Sequence, residues 1–185
     1  MDHYLDLRIR PDPEFPPQQL LNALYAKLHR ALVAHPDWQI AVAFPEWQRV
    51  HLGKLMRLIA THHDLDALMR SEWLRGMRDH IDTSTPAAVP AEARHRRLVR
   101  VQAKSSAERL RRRAMKRHNL TPDQARERIP DSAEEHLALP FVVLHSSSSG
   151  QSFRLFLRHE PVQVAPSPGS FNAYGLSRTA SVPWF

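Results

Sequence analysis

One helix-length segment of this chain is too highly charged to be buried in a hydrophobic core. The segment AERLRRRAMKRHNL, residues 107–120, contains six Arg and Lys. It belongs to a longer basic band, residues 94–117, that holds 11 Lys and Arg and one acidic residue. The chain has 26 Lys and Arg and 19 Asp and Glu, so the rest of it carries 15 basic and 18 acidic residues. Because the whole positive excess lies in one band, we expect a polyanionic partner, with nucleic acid favoured over an anionic membrane surface.

The local pattern of this band predicts an arginine-rich helix over about 106–118. SSAE at 105–108 has the Ser-x-x-Glu capping-box pattern, with Ser105 as the N-cap, and good helix formers follow it. Asn119 suits the left-handed position that ends a helix, and Thr121 in TPDQ suits the cap of a second helix. At about 100° per residue, one face of the first helix carries Arg109, Arg112, Arg113, Lys116 and Arg117.

The apolar side of the predicted helix is narrow. Only Ala107, Leu110 and Ala114 form a seam behind the basic face. Such a helix gains little from burial, and its like charges repel one another at spacing i, i+4. Most charge runs are solvated surface helices. The confinement of the charge to one band nevertheless favours a helix that lies in a phosphate-lined groove.

The remainder of the chain has the pattern of an α+β protein. Alternation of Leu5, Leu7 and Ile9 predicts a strand over 3–9, and leucines at helical spacing predict a helix over 16–34. The other elements predicted before residue 90 are strands at 40–44, 54–60 and 81–89 and short helices around 64–69 and 72–80. This βαββαβ order is that of a ferredoxin-like fold.

Proline content and composition shift near residues 86–95, which predicts a domain boundary there. We expect a ferredoxin-like domain over 1–93 and an α+β domain with the arginine-rich helix over 94–185. In the second domain, three apolar runs predict strands at 139–145, 152–159 and 161–165.

Several classes of protein do not fit the composition. The chain has no cysteine, which excludes disulfides and thiolate metal sites. No run approaches the ~20 apolar residues that cross a bilayer, and the N-terminus does not resemble a signal peptide, so we expect a cytoplasmic protein without a membrane partner. The 12 histidines include no His-Glu-x-x-His pattern, and His62-His63 has no recognisable third ligand. We therefore predict no metal site and no cofactor.

No single residue indicates catalysis by its position alone. A histidine on the first long helix, such as His29, is most often a partly buried surface residue. The polar stretch 145–153 is typical of a hairpin loop. A tyrosine in a setting like that of Tyr174 ordinarily packs in the core or in a hairpin. The residues alone therefore predict an RNA- or DNA-binding protein.

Several strings, in order along the chain, resemble one family. They are RVQAKS (100–105), ERLRRR (108–113), SSSSGQSFRLF (146–156), YGLS (174–177) and VPWF (182–185), and KLHRALVA (27–34) adds the first helix. The chain is similar in these segments to the CRISPR repeat-processing endoribonucleases of type I-F systems. The resemblance implies a metal-independent nuclease that cleaves precursor CRISPR RNA at the 3′ base of the repeat stem-loop. It also implies that the enzyme stays bound to the product hairpin and joins the other subunits of the surveillance complex.

The resemblance also assigns roles to residues at matching positions. His29 and Ser146 carry over as catalytic residues, and Tyr174 as the aromatic that orients the histidine. The residues expected to contact RNA by the same matching are Arg100, Gln102, Arg113, Lys116, Arg117, Ser148 and Phe153. The basic face of the predicted helix adds Arg109 and Arg112 to the expected RNA contacts. Lys116 stands where the resemblance leads us to expect arginine, and a lysine keeps the charge but loses the planar fork of the guanidinium.

These residue types suit the implied reaction. An imidazole with a pKa near ~6.5 suits proton transfer at neutral pH, as base, acid or both, and a serine hydroxyl can hold the ribose. Attack by the ribose 2′-oxygen leaves a 2′,3′-cyclic phosphate and a 5′-OH. Two alternatives stay open from the sequence: a non-catalytic hairpin-RNA-binding protein, and a DNA-binding regulator that uses the basic helix in a B-form groove.

Overall fold

The computed structural model describes residues 1–102, 107–130, 137–146 and 150–185. Helices and antiparallel strands occur together in these ranges, which confirms the predicted α+β class. The chain forms two compact units, one of residues 1–100 with 139–185 and one of residues 101–138. The domain boundary expected between residues 93 and 94 stays a prediction.

The first half of the larger unit has the predicted βαββαβ order. Its elements are β1 (His3–Ile9), α1 (Pro17–Ala34), β2 (Ala41–Ala43), β3 (Leu55–Ala60), α2 (His62–Arg70) and β4 (Ile81–Thr83). The strands form an antiparallel sheet in the order β2-β3-β1-β4, and a short β5 (Ala87–Ala88) also pairs with β1. Burial specifies the register of β1 in this sheet, because a one-residue slip would turn Leu5 and Leu7 out of the core.

The helix predicted over 72–80 is wrong. Glu72 and Gly76 have φ angles of 53° and 75°, in the left-handed region that interrupts a right-handed helix. The segment forms turns and ends in one short 3₁₀ turn, Arg78–His80.

A second sheet consists of strands from the later part of the chain. Its members are β7 (Leu98–Val101), β8 (Phe141–His145) and β9 (Ser152–His159), in the order β7-β9-β8. The hairpin of β8 and β9 agrees with the predicted strands. The strand predicted at 161–165 is wrong, since only Gln163 makes an isolated bridge there, to His95.

A two-stranded ribbon was not predicted. It pairs β6 (Arg94–Arg96) with β10 (Val182–Trp184). The residues of β6 are basic and those of β10 include Pro183, so neither segment has the apolar alternation that predicts a strand.

Helix α1 packs against β8. The leucines of one α1 face, including Leu21 and Leu24, are buried in the same core as Val142 of β8 and Leu155 of β9. At the edge of this contact the Gln18 side-chain amide donates to the Phe141 carbonyl over 3.1 Å. The two sheets of the larger unit therefore share one hydrophobic core, with α1 as the element that both contact.

The smaller unit contains the basic helix. Here α3 (Ala107–His118) is followed by Asn119 at a φ of 51° and by α4 (Pro122–Arg128). Both hydrogen bonds of the capping box between Thr121 and Gln124 are present, at 3.3 Å and 3.0 Å. These features confirm the predicted helix end and the second cap. Ser105, the predicted cap of the first helix, lies outside the described residues.

Candidate active site

Polar side chains form a stripe along the otherwise apolar inner side of α1. Gln18, Asn22, Tyr25 and His29 follow one another at spacings of four, three and four residues. At about 100° per residue these positions fall within a sector about 60° wide. Each of the four side chains makes a hydrogen bond to backbone that is distant in sequence. The stripe is therefore a row of anchor points on one side of the helix.

Two residues of the stripe bind the loop that contains Tyr174. The Tyr25 hydroxyl donates to the Tyr174 carbonyl over 2.7 Å, and His29 Nδ1 donates to the Ala173 carbonyl over 2.8 Å. A carbonyl only accepts, so Nδ1 carries the proton of the neutral imidazole. The lone pair of His29 then resides on Nε2, the nitrogen that can accept a proton.

The loop that receives these bonds is itself fixed. Asn172 Oδ1 accepts from the backbone N–H groups of Tyr174 and Leu176, at 2.8 Å and 3.3 Å. The Gly175 carbonyl accepts from Val42 N of β2 over 3.0 Å. Gly175 has a φ of +68°, and a Cβ there would stand 2.6 Å from the Val42 side chain, so only glycine fits this close approach. The loop whose Ala173 carbonyl orients His29 is therefore held against the sheet.

The ring of Tyr174 lies flat against the imidazole of His29. Their centroids are 4.1 Å apart and the planes differ by 5°. Both side chains are half-buried, so part of the stacked pair stays accessible to solvent. Burial raises the pKa of Tyr25 beneath them and keeps that hydroxyl protonated as a donor. The structure thus brings two of the three predicted catalytic residues into direct contact.

The third predicted catalytic residue, Ser146, follows β8 directly. Its backbone closes the hairpin loop, since Ser146 N donates to the Gln151 carbonyl and Gly150 N donates to the Ser146 carbonyl, each over 2.9 Å. The Ser146 side chain is half-buried. Ser148, in the same loop, lies outside the described residues.

The register between α1 and β8 indicates where Ser146 stands relative to His29. Gln18 bonds Phe141, and Val143 N donates to Asn22 Oδ1 over 3.0 Å, so the two elements run in the same direction. Four helical residues rise about 6 Å and two strand residues rise about 6.6 Å, so α1 and β8 advance by nearly the same distance between these two bonds. Extended from Asn22 to His29 and from Val143 to Ser146, the residue after β8, this register spans about 10 Å on each side, so we expect His29 and Ser146 to lie level with one another.

Phe153 and Arg100 form a second group on the same unit. Phe153 lies opposite Leu144 in the β8–β9 pair and is half-buried. The exposed guanidinium of Arg100 stands 5.9 Å from the centroid of the Phe153 ring. An arginine beside an aromatic face is an arrangement that suits base stacking and phosphate contact.

The remaining predicted RNA contacts belong to the smaller unit. Gln102 is exposed, and so are the side chains of the predicted basic face, which are Arg109, Arg112, Arg113, Lys116 and Arg117. The seam residues Leu110 and Ala114 are half-buried and Ala107 is buried, as a helix with one solvent-facing basic side requires. Glu108 is the one acidic residue within α3, so the helix presents a strongly positive surface.

Sequence reasoning missed three anchor residues of this site. Gln18, Asn22 and Tyr25 were not singled out, although their spacing with His29 was a signal that could have found them. A polar residue at each of these positions interrupts a helix face that otherwise consists of leucine and alanine. Such a repeated interruption indicates that backbone from elsewhere in the chain bonds to the helix.

Among the described residues, no three His, Asp or Glu side chains lie close enough together to hold a metal ion. No helix within the described ranges is long and apolar enough to cross a membrane.

Comparison with known proteins identifies the family. The family model for a CRISPR-associated protein, Cas_Csy4, matches residues 4–185. A curated protein of Pseudomonas aeruginosa (strain UCBPP-PA14), named CRISPR-associated endonuclease Cas6/Csy4, is 54% identical over the full length of both chains. A protein of the same name from Escherichia coli (strain UTI89 / UPEC) is 44% identical, again over the full length of both. The resemblance noted in the sequence is thereby confirmed, and the chain, like these two relatives named as endonucleases, belongs to the Cas_Csy4 family of CRISPR-associated proteins.

Proposed function

We propose that this chain is a metal-independent endoribonuclease that cleaves precursor CRISPR RNA at the 3′ base of the repeat stem-loop and stays bound to the product hairpin. The endonuclease names of its full-length relatives support the reaction class. The observation that carries the proposal is the fixed imidazole of His29, with Nδ1 bonded to the Ala173 carbonyl and its ring stacked on Tyr174.

His29 acts as the general base. Its Nε2 takes the proton of the 2′-OH next to the scissile phosphate, the 2′-oxygen attacks phosphorus, and the bond from phosphorus to the 5′-oxygen breaks. The products are a 2′,3′-cyclic phosphate and a 5′-oxygen, which leaves with the electron pair of the broken bond and takes a proton from water to become 5′-OH, while the imidazolium returns its proton to solvent. The Ala173 carbonyl, as acceptor of the Nδ1 proton, stabilises the imidazolium that forms during the transfer.

Tyr174 orients the base rather than transferring a proton. A ring that lies parallel to the imidazole at 4.1 Å limits its rotation about the side-chain torsions. The π face of the tyrosine also favours the cationic imidazolium over the neutral ring. Because alignment supplies much of the acceleration in an intramolecular displacement, a small number of groups is enough for this reaction.

Ser146 holds the ribose. The parallel register of α1 and β8 supports this role, since its extension leads us to expect the serine level with His29. Its hydroxyl can donate to a ribose or phosphate oxygen while Nε2 of the histidine receives the proton. Ser148 is proposed as a further phosphate or ribose contact in the same loop.

The RNA hairpin is bound by the basic surfaces. Arg109, Arg112, Arg113, Lys116 and Arg117 of α3 contact phosphates and base edges in the major groove near the hairpin loop. Arg100 and Gln102 contact the bases at the foot of the stem, and Phe153 stacks on its last base pair, upstream of the cut. Association with other subunits of the surveillance complex and residence in the cytoplasm stay predictions.

The experiment that tests this proposal is cleavage of a repeat hairpin RNA by the purified protein in excess EDTA, with end-group analysis of both fragments. We expect cleavage at the 3′ base of the stem, a 2′,3′-cyclic phosphate on one fragment and a 5′-OH on the other. A substrate with a single 2′-deoxyribose at the nucleotide upstream of the cut should be bound and left intact. Loss of cleavage in EDTA, with recovery on adding Mg²⁺, would overturn the metal-independent mechanism. A hairpin that is bound but never cut would instead favour an RNA-binding protein without catalysis.

A further inference from the structure

A cavity of about 320 Å³ opens beside the loop that orients His29. Its lining residues are Leu32, Val33, Pro36, Trp38, Phe171, Asn172 and Ala173. Ala173 is shared with the site described above, because its carbonyl accepts the proton of His29 Nδ1. The cavity therefore adjoins the imidazole, and none of the roles proposed so far involves it.

The chain contacts along α1 fix the order of these features. The Tyr174 carbonyl accepts from Tyr25 and the Ala173 carbonyl from His29, and the preceding residues Phe171 and Asn172 line the cavity together with Leu32 and Val33. The loop thus runs antiparallel to the helix, and the cavity lies about 5 Å beyond His29 along the helix axis.

Phe153 lies on the other side of His29. It pairs with Leu144, two residues before Ser146, and Ser146 is the residue level with His29. Along the common direction of α1 and β8 the order is therefore Phe153, then the imidazole with Ser146, then the cavity. An RNA strand that stacks its last paired base on Phe153 and passes its scissile phosphate at His29 reaches the cavity with its next nucleotide.

The lining suits a neutral aromatic ring rather than a phosphate. Trp38 and Phe171 supply aromatic surface, and none of the described residues that line the cavity is charged. The apolar side chain of Val33, at the rim of the cavity, is 58% exposed, and a planar ring in the cavity would cover it. The volume lies at the lower end of the range of small-molecule sites, which fits a single nucleobase.

Asn172 adds a group that can bind a base edge. Its Oδ1 accepts from two backbone N–H groups, which fixes the orientation of the side-chain amide. The two N–H donors of Nδ2 have no hydrogen-bond partner among the described residues, and the side chain is exposed. A carbonyl or ring nitrogen of a nucleobase is an acceptor of the right kind for them.

We propose that this cavity binds the base of the first nucleotide downstream of the cleavage site. The inference rests on the proposed function, since that function supplies the scissile phosphate at His29. Holding the downstream base fixes the leaving 5′-oxygen in line with the attacking 2′-oxygen, which raises the rate of cleavage without adding to the affinity for the product hairpin.

The first test uses binding alone. The probe is a repeat hairpin RNA with 2′-deoxyribose before the cut, which blocks the reaction, and 2-aminopurine as the first downstream base. Stacking on aromatic side chains should quench the fluorescence of 2-aminopurine when the protein binds. Val33→Met should reduce the quenching because its longer, non-aromatic side chain can enter the cavity from an exposed position and adds no aromatic ring of its own. Val50→Met, at another exposed valine that is 46% accessible, is the matched control and should quench like the wild type.

The second test uses cleavage of the normal ribose substrate. The wild type should cut RNA with an intact downstream base about tenfold faster than RNA with an abasic residue there, as expected from the loss of one base stack. Val33→Met should cut both at the slower rate and bind the product hairpin as the wild type does. Equal rates on both substrates together with unquenched 2-aminopurine would overturn the cavity assignment and leave the proposed function intact. Quenching without any cleavage would instead overturn the function and retain the site.

Discussion

Tyr25 and His29 lie one helical turn apart on α1 and donate hydrogen bonds to the carbonyl groups of consecutive residues, Tyr174 and Ala173. The helix therefore holds the loop at two points, and only one of them is the candidate base. The loop in turn presents the Tyr174 ring to the imidazole. The orientation of His29 consequently depends on a tyrosine that is fully buried and cannot itself reach a substrate.

Tyr25→Phe should weaken both the fold and the reaction. The substitution leaves the Tyr174 carbonyl without its donor, and we expect it to lower the free energy of unfolding by about 1–3 kcal/mol. The rate of cleavage at saturating enzyme should fall several-fold because the loop that aligns His29 is loosened, while the KM for RNA changes little. Urea denaturation and single-turnover kinetics measure the two effects.

Tyr4→Phe is the matched control for that substitution. Tyr4 is half-buried in the same unit, and its ring lies under the Arg57 guanidinium at 4.6 Å, a contact that phenylalanine keeps. Its stability and cleavage rate should equal those of the wild type. A Tyr25→Phe protein as active and as stable as Tyr4→Phe would show that the anchor at Tyr174 is dispensable.

Arg113→Ala and Arg117→Ala should each weaken binding of the repeat hairpin without changing cleavage once enzyme is saturating. Each exposed arginine that contacts a phosphate displaces a counterion, so each loss should reduce the slope of log affinity against log salt concentration by about one. Titrations at several salt concentrations measure this slope. Arg49→Ala removes an exposed arginine from the other unit and serves as the control. Slopes equal to that of Arg49→Ala would mean that α3 is a solvated helix.

The buried His159 should make stability depend on pH. Burial, and to a lesser degree the Arg96 charge, lower the pKa of His159 from 6.5 to about 3. Neither ring nitrogen has a hydrogen-bond partner in the described structure, and the ring packs edge-on against Trp47 and Trp184. As the pH falls below about 6.5, His159 becomes protonated in the unfolded chain but stays neutral in the folded chain until about pH 3. The free energy of unfolding therefore decreases as the pH falls through this window.

Between pH 7.5 and pH 5 this loss should amount to about 2 kcal/mol in the free energy of unfolding. His159→Phe keeps an aromatic ring and removes the titrating group, so that component should disappear in urea denaturation at the two pH values. His63→Gln, at an exposed histidine, should retain it. Identical pH dependence in the wild type and His159→Phe would contradict the assignment.

Local sequence pattern predicted the elements whose burial is regular. Leu5, Leu7 and Ile9 alternate and form β1, and the leucines of 16–34 recur at helical spacing and form α1. It failed at 72–80, where left-handed conformations at Glu72 and Gly76 override good helix formers. It also missed β6 and β10, which are far apart in sequence and pair only after the fold has brought them together.

The candidate site was likewise predicted only in part. Resemblance at the level of single positions assigned His29 and Tyr174, and the structure brings their rings into contact. The resemblance did not indicate that His29 bonds the Ala173 carbonyl. Every residue has a backbone carbonyl, so the sequence does not show which one, here 144 positions away, accepts the bond. The cavity at Trp38 and Phe171 could not be predicted for the same reason, since its two aromatic walls come from segments that only the folded chain brings together.

The most direct test of the account compares His29→Ala with the wild type in two measurements on one RNA. These are the single-turnover rate of cleavage and the affinity for the uncleaved hairpin, with His63→Ala as the control. We expect the His29→Ala rate to fall by about 10³-fold while its affinity stays that of the wild type, because the imidazole moves a proton and does not hold the stem. A His29→Ala protein that cleaves within about tenfold of the wild-type rate would contradict the assignment of His29 as the base.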